Sequence, residues 1–144
     1  MHIEKIENDL GDALDLVWKV FLKYEASFYT KEGIETFHKF ISDIDKMKTL
    51  TFYGMYDNEK IIGVIATRNN GNHITLFFVD GNYHKKGIGT KLFEKVIENS
   101  TSRVITVNSS VYAVEVYHKL GFVDIDTEKI ENGIRFTPMK IILE

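Results

Sequence analysis

Two hydrophobic periods alternate along the chain. His2 to Ile6 alternates apolar and polar residues and predicts a short first strand. The period then lengthens. Leu14, Val17, Trp18, Phe21 and Leu22 recur at helical spacing, with Asp9 or Asp12 placed to cap that helix. Thr30 opens a second predicted helix carrying Ile34, Phe37, Phe40, Ile41 and Ile44. Between them lies Tyr24-Glu25-Ala26-Ser27-Phe28-Tyr29, strongly aromatic for a connector. The period shortens again over Leu50 to Tyr56 and Lys60 to Arg68, which Asp57-Asn58-Glu59 joins as a hairpin. After the turn Asn69-Asn70-Gly71-Asn72, the run from His73 to Val79 is nearly all apolar or β-branched. It predicts a central strand buried on both faces. A loop over 80–86 leads into a helix over 87–99 with Ile88, Leu92, Phe93, Val96 and Ile97 on one face. A strand over 103–107 and a helix over 110–120, stopped by Gly121, follow. The strands 122–130 and 134–143 turn at Glu131-Asn132-Gly133.

The predicted order is β-α-α-β-β-β-α-β-α-β-β. Antiparallel hairpins flank a single β-α-β unit, so the fold class is α/β, a mixed and mostly antiparallel sheet with helices packed on it. No repeat, linker or low-complexity stretch divides the chain, and residues 1–144 read as one domain.

Composition narrows the function classes. The 144 residues carry a net charge of −3 with scattered basic residues, which disfavours a nucleic-acid binder. The absence of cysteine excludes a disulfide framework, a thiolate metal site and a cysteine nucleophile. His2, His38, His73, His84 and His118 show no pair at metal-ligand spacing, and no metal is expected. No apolar run reaches the ~20 residues that span a bilayer, and the charged start MHIEKIENDL has no signal-peptide core, so a cytoplasmic protein is expected.

Chemistry concentrates in two stretches. Val79-Asp80-Gly81-Asn82-Tyr83-His84-Lys85-Lys86-Gly87-Ile88-Gly89-Thr90 joins the central strand to a helix. A helix start offers free N–H groups and the positive end of the dipole, and Gly87 and Gly89 let a bulky anion approach the backbone. The spacing is neither G-x-G-x-x-G, since Leu occupies position 92, nor a P-loop. Two glycines serving only strand–helix packing would read the same way. The second stretch runs from Asn108 through Ser110, Ala113 and Tyr117 to Gly121-Phe122.

Together these stretches resemble the GNAT superfamily of N-acetyltransferases. Its pyrophosphate loop reads Gln/Arg-x-x-Gly-x-Gly/Ala after a strand, and its later helix reads Ala-x-x-x-Tyr-x-x-x-Gly-Phe. His84 stands at the Gln/Arg position, and Ser110 stands where the family often has Asn, with Asn108 two residues earlier. The resemblance implies acetyl-CoA as cosubstrate. Its pantetheine arm would lie along the main chain of Phe77 and Val79, and its pyrophosphate on the backbone of His84, Lys85, Lys86, Gly87, Ile88, Gly89 and Thr90. Asn108 and Ser110 would lie beside it.

The resemblance further implies direct acetyl transfer to a primary amine, with Tyr117 as general acid toward the CoA thiolate. The competing role for Tyr117 is packing of its helix on the sheet. Glu25, His73 and Asp57 are candidate general bases. The acceptor pocket would involve Tyr24, Glu25, Phe28 and Tyr29, whose alternative is filling the core. Partners would be acetyl-CoA and an amine, with no nucleic acid or membrane, and a homodimer is compatible with the family. A non-catalytic acyl-CoA-binding or sensor module on the same fold is the alternative class.

Overall fold

The computed structural model describes residues 1–144. In chain order it contains β1 (His2–Ile6), α1 (Gly11–Val20), a π-helical turn (Phe21–Glu25), a 3-10 turn (Ala26–Phe28), α2 (Lys31–Ser42) and α3 (Ile44–Lys48). Next come β2 (Thr51–Asp57), β3 (Lys60–Arg68), β4 (His73–Val79), a 3-10 turn (Gly81–Tyr83) and α4 (Ile88–Asn99). The remainder is β5 (Val104–Ser109), α5 (Val114–Leu120), β6 (Val123–Asp124), β7 (Lys129–Glu131) and β8 (Ile134–Ile142).

The strands form one sheet in the order β1-β2-β3-β4-β5-β8-β6, with β7 also on β8. Every pairing is antiparallel except β4 with β5. That parallel pair is short: His73 faces Thr106, Ile74 faces Val107, and the strands then part. The sheet is thus split along a V that widens toward the C-terminal ends of β4 and β5.

One core layer sits on each face. Leu16, Val17 and Val20 of α1 and Phe21 pack with Phe52, Val64 and Leu76. On the other face Leu92, Phe93 and Val96 of α4 join Tyr117 and Phe122 over Ile62, Ile65 and Ile105. Leu92 is wholly buried, and a buried Leu stabilises by roughly 1.5–3 kcal/mol.

The local signals act as their chemistry dictates at several ends. The Thr30 side chain caps α2 by accepting from the Gly33 N–H at 3.3 Å. Gly121 ends α5 at φ 107°. Asn132 and Gly133 both take positive φ, as a tight hairpin turn requires.

Other expectations are corrected. α1 starts at Gly11 behind Leu10, and Asp9 accepts from the Gly11 N–H without standing at the cap; Asp12 lies inside the helix. The helical path runs past Val20 through the π-turn, so the connector expected at Tyr24–Tyr29 is largely helical, and Leu22 is left exposed. The second predicted helix breaks at Asp43, which caps α3 in turn, and Ile44 is exposed. The last helix begins at Val114 and not at Ser110, after a turn. The strand expected over 122–130 is two short pieces, β6 and β7.

β4 is not buried on both faces. Its register against β3 shifts between Ala66 and Thr67, leaving Thr75 as an unmatched residue. Beyond this bulge Leu76 and Phe78 enter the α1–α2 layer, whereas Phe77 and Val79 lie against the α4–α5 layer and remain partly exposed.

Candidate active site

The V between β4 and β5 leaves backbone groups without a strand partner. The Asp80 N–H donates to the Ile62 carbonyl at 2.8 Å, so even-numbered residues at this end of β4 bond toward β3. Residues of alternating parity direct their polar groups the other way. Phe77 and Val79 therefore present N–H and C=O to the open side. His84 folds back on this edge, with its Nε2 2.8 Å from the Val79 carbonyl oxygen.

The loop after β4 is braced at several points. Asp80, almost fully buried, accepts from the Asn82 N–H at 2.9 Å and lies 3.4 Å from Lys19 Nζ. The Asn82 N–H holds the Asp80 carboxyl below the usual range, and Lys19 adds to this. The Tyr83 hydroxyl donates to Asp57 at 2.8 Å. The Tyr24 ring lies against His84, tilted by 40° with centroids 5.0 Å apart, and its hydroxyl sits where a Cβ on Gly81 would stand. Lys85 and Gly87 adopt positive φ, of 63° and 77°. α4 then starts without a side-chain cap. The N–H groups of Ile88, Gly89 and Thr90 belong to its first turn and have no intrahelical acceptor. Gly87 has nothing within 4 Å of a Cβ position, and at Gly89 only the Phe77 ring edge comes near, at 3.4 Å. The result is an open cradle of N–H donors at the positive end of a twelve-residue helix. It fits a phosphate or pyrophosphate. Ile88 contributes only backbone, because its side chain is in the core. Lys85, Lys86 and Thr90 are exposed at the rim.

Beside this edge lies a cavity of about 290 Å³. Glu25 from the π-turn, Tyr29, Thr75 and Phe77 of β4, Asn108 of β5 and Ser110 just after it, Tyr117 of α5 and Arg135 of β8 all reach it. Glu25 is 8 % exposed. Burial raises its carboxyl from 4.5 to about 7, and the Ser110 side chain opposes part of the rise. The same burial, with the Glu25 charge nearby, pushes the Tyr117 hydroxyl well above its ordinary range, so it keeps its proton. Phe77 and Phe122 hold the Tyr117 ring edge-on at 6.0 and 5.3 Å. Tyr29 is shifted upward by burial first and Glu25 second.

The structure divides the predicted residues between the cavity and the loop leading into α4. Glu25, Tyr29, Phe77, Asn108, Ser110 and Tyr117 share the cavity. Tyr24 and Phe28 do not line it: Tyr24 braces the loop, and Phe28 is 38 % exposed near Tyr112. Of the three candidate bases only Glu25 faces the cavity. Asp57 is engaged by Tyr83, and His73 sits at the closed end of the V, 2.7 Å from Thr106 Oγ1. Burial lowers His73 to about 4 and keeps it neutral.

Sequence reasoning missed Arg135, Thr75 and the roof residues Thr36 and Phe136. Arg135 pairs with Glu128 at 3.1 Å and donates to the Phe28 carbonyl at 3.4 Å. The Thr75 hydroxyl is buried without a hydrogen-bond partner. No sequence signal marks it, since it is set by the bulge.

A split sheet with a donor-lined helix start at the mouth of the split defines an acyltransferase-like architecture, and the comparisons give the family. The acetyltransferase (GNAT) domain model matches residues 25–143, and the chain belongs to that family. Its fold superposes on a GCN5-related N-acetyltransferase from Rhodopseudomonas palustris with a TM-score of 0.83, at 18% identity over 99% of this chain and 95% of that one. It superposes on the PaiA N-acetyltransferase of Thermoplasma acidophilum, solved in complex with coenzyme A, with a TM-score of 0.75, at 20% identity over 99% of both chains. Among curated proteins, the UPF0157 protein YqkA of Bacillus subtilis (strain 168) is 29% identical over 109 residues, 72% of this chain and 32% of that protein. The chain thus spans about a third of the length of that relative.

No helix is long and apolar enough to cross a membrane.

Proposed function

We propose that the protein transfers the acetyl group of acetyl-CoA directly onto a primary amine, with Glu25 as general base and Tyr117 as general acid. The observation that carries this reading is the meeting of the two groups in one cavity beside the open edge of β4. One accepts a proton near neutral pH and the other retains its proton.

When bound, acetyl-CoA supplies an activated acyl thioester. The residues that would hold it are the N–H donors of Ile88, Gly89 and Thr90, the outward main chain of Phe77 and Val79, and the Asn108–Ser110 segment. The free donors and the space over Gly87 and Gly89 fit such a group. Lys85 and Lys86 extend that positive rim.

Glu25 takes a proton from the amine as its nitrogen bonds to the acyl carbon. Tyr117 gives its hydroxyl proton to the sulfur as the carbon–sulfur bond breaks. Proton return through solvent from Glu25 to Tyr117 resets the pair. A carboxyl near 7 suits a base working at neutral pH, and such assistance is worth ~10²–10⁴-fold. Asn108, Ser110 and Tyr29 line the cavity beside Glu25.

The test is a panel of amines with acetyl-CoA, followed by free-thiol release. Thiol release that depends on both amine and enzyme supports transfer. CoA binding without turnover on any amine would support the non-catalytic acyl-CoA module instead.

A further inference from the structure

We propose that the acceptor is a small molecule with one cationic nitrogen on an apolar body of about one aromatic ring, and that polyamines and peptides lying extended across the site are excluded. This rests on the transferase reading and adds the class of its second substrate.

Three independent features point there. The first is the wall. Phe21, Phe37, Phe40, Phe78, Ile134 and Phe136 make the cavity apolar on most sides. Its volume of about 290 Å³ is at the lower end of small-molecule sites, and the acyl end of acetyl-CoA at Phe77 and the Asn108–Ser110 segment takes part of it.

The second is charge. Glu25 is the single acid facing the cavity, and Arg135 is the single cation. One ammonium can pair with Glu25. A second finds no further acid on the cavity wall, where the other charge is the Arg135 guanidinium, already paired with Glu128 at 3.1 Å, which disfavours spermidine-like or aminoglycoside-like acceptors.

The third is closure. A peptide presenting an internal lysine lies across the site and needs a groove open at both ends, and here the turn of the β7–β8 hairpin is pressed onto α2. A Cβ on Gly33 would overlap the Gly133 carbonyl, and the Gly133 carbon would in turn meet the Gly33 backbone. The Thr36 hydroxyl adds a hydrogen bond to the Asn132 carbonyl at 2.7 Å. Backbone packed against backbone leaves no lane for an extended chain between α2 and the hairpin.

The experiment compares three probes on the CoA-loaded protein: 2-phenylethylamine, spermidine and a short end-blocked peptide with an internal lysine. Binding is read by calorimetry, and turnover with acetyl-CoA by thiol release. We expect 2-phenylethylamine to bind and react at least about tenfold better than either competitor. Ile134→Phe, which fills the cavity from a partly exposed wall position, should weaken 2-phenylethylamine binding at least about tenfold and leave CoA affinity unchanged. Phe40→Ala serves the same purpose if that variant does not fold, because it removes one wall ring.

Preference for spermidine or the peptide overturns the inference while leaving the transferase reading intact. Cavity-dependent binding of 2-phenylethylamine without turnover of it or of any amine in the panel overturns the transferase reading and keeps the pocket assignment. Absence of 2-phenylethylamine binding overturns the inference outright.

Discussion

At the scale of single residues, Glu25 makes the sharpest demand. Its carboxyl titrates at about 7 in the fold against 4.5 as the ordinary value, because burial disfavours its charge. If it is the base, kcat/KM rises with pH and levels off above about 7. Glu25→Gln should remove that inflection and lower the rate ~10²–10⁴-fold.

Stability runs the other way. Below 4.5 folded and unfolded chains both hold the proton. Between 4.5 and about 7 only the unfolded chain releases it, so stability falls as pH rises through this window and is flat above it. The shift corresponds to a loss on the order of 3 kcal/mol. Glu25→Gln should therefore melt higher than the native protein at pH 8 and much like it at pH 4, as thermal unfolding at both pH values would reveal. A variant that loses activity while gaining stability at pH 8 separates a working carboxylate from a structural one.

Tyr117→Phe keeps the ring that Phe77 and Phe122 clasp and deletes only the proton. The expected outcome is a kcat lower by ~10²-fold with unchanged CoA affinity and melting temperature. Native kcat on a substrate whose chemical step limits the rate would assign Tyr117 to packing. The two residues were not equally legible. Tyr117 is marked by its fixed distance from Ala113 and Gly121-Phe122, a purely local pattern. Glu25 looked no different from Asp57 or His73, because burial, which separates them, depends on contacts across the fold.

At the scale of elements, the open, donor-lined start of α4 is a local product and was legible as one. Glycine at positions 87 and 89, a strand before and an apolar-periodic helix after can be read along the single stretch 73–99. Gly89→Leu places a branched side chain in that mouth, where even a Cβ already touches the Phe77 ring. CoA affinity by calorimetry should drop at least about tenfold in a folded variant, and unchanged affinity would remove the cradle from the site.

His84 was legible by position and misleading by type. Its ring is engaged with the Val79 carbonyl and Tyr24, so it braces the loop and points away from the cradle's free donors. The π-turn and the β4 bulge were invisible, although between them they aim Glu25 and expose Phe77. Each is one residue out of phase with the regular element around it, and a periodicity over a dozen residues averages such a slip away. The failure of Ser110–Ala113 to join α5 has a similar origin. The Ser110 hydroxyl accepts from the Ala113 N–H at 3.2 Å and stabilises a turn that competes with the helix.

At the scale of the whole molecule, the order of strands and helices followed from the sequence, while the closing of the acceptor side did not. Gly33 and Gly133 are a hundred residues apart and carry no signal for each other. Gly33→Ala tests that closure. Its methyl group must push the hairpin away from α2, at a cost of about 1–3 kcal/mol typical of overpacking. The melting temperature should fall while CoA affinity stays, because the cradle lies on α4 and not on α2. An unchanged melting temperature would show the hairpin to be loosely seated.

The V-shaped split has a further consequence, for how the molecule comes apart. Only His73–Thr106 and Ile74–Val107 stitch β1–β4 to the β5–β8 half within the sheet. Cooperative opening should therefore start at that seam, with the outward amides of Phe77 and Val79 exchanging with solvent water sooner than their inward neighbours. Whatever fills the seam acts as mortar between the halves. At a hundred times its Kd it would add about 2.7 kcal/mol to the whole fold. Tight product retention and mechanical cohesion would then be one property, and each round of release would briefly return the protein to its weaker, two-part form.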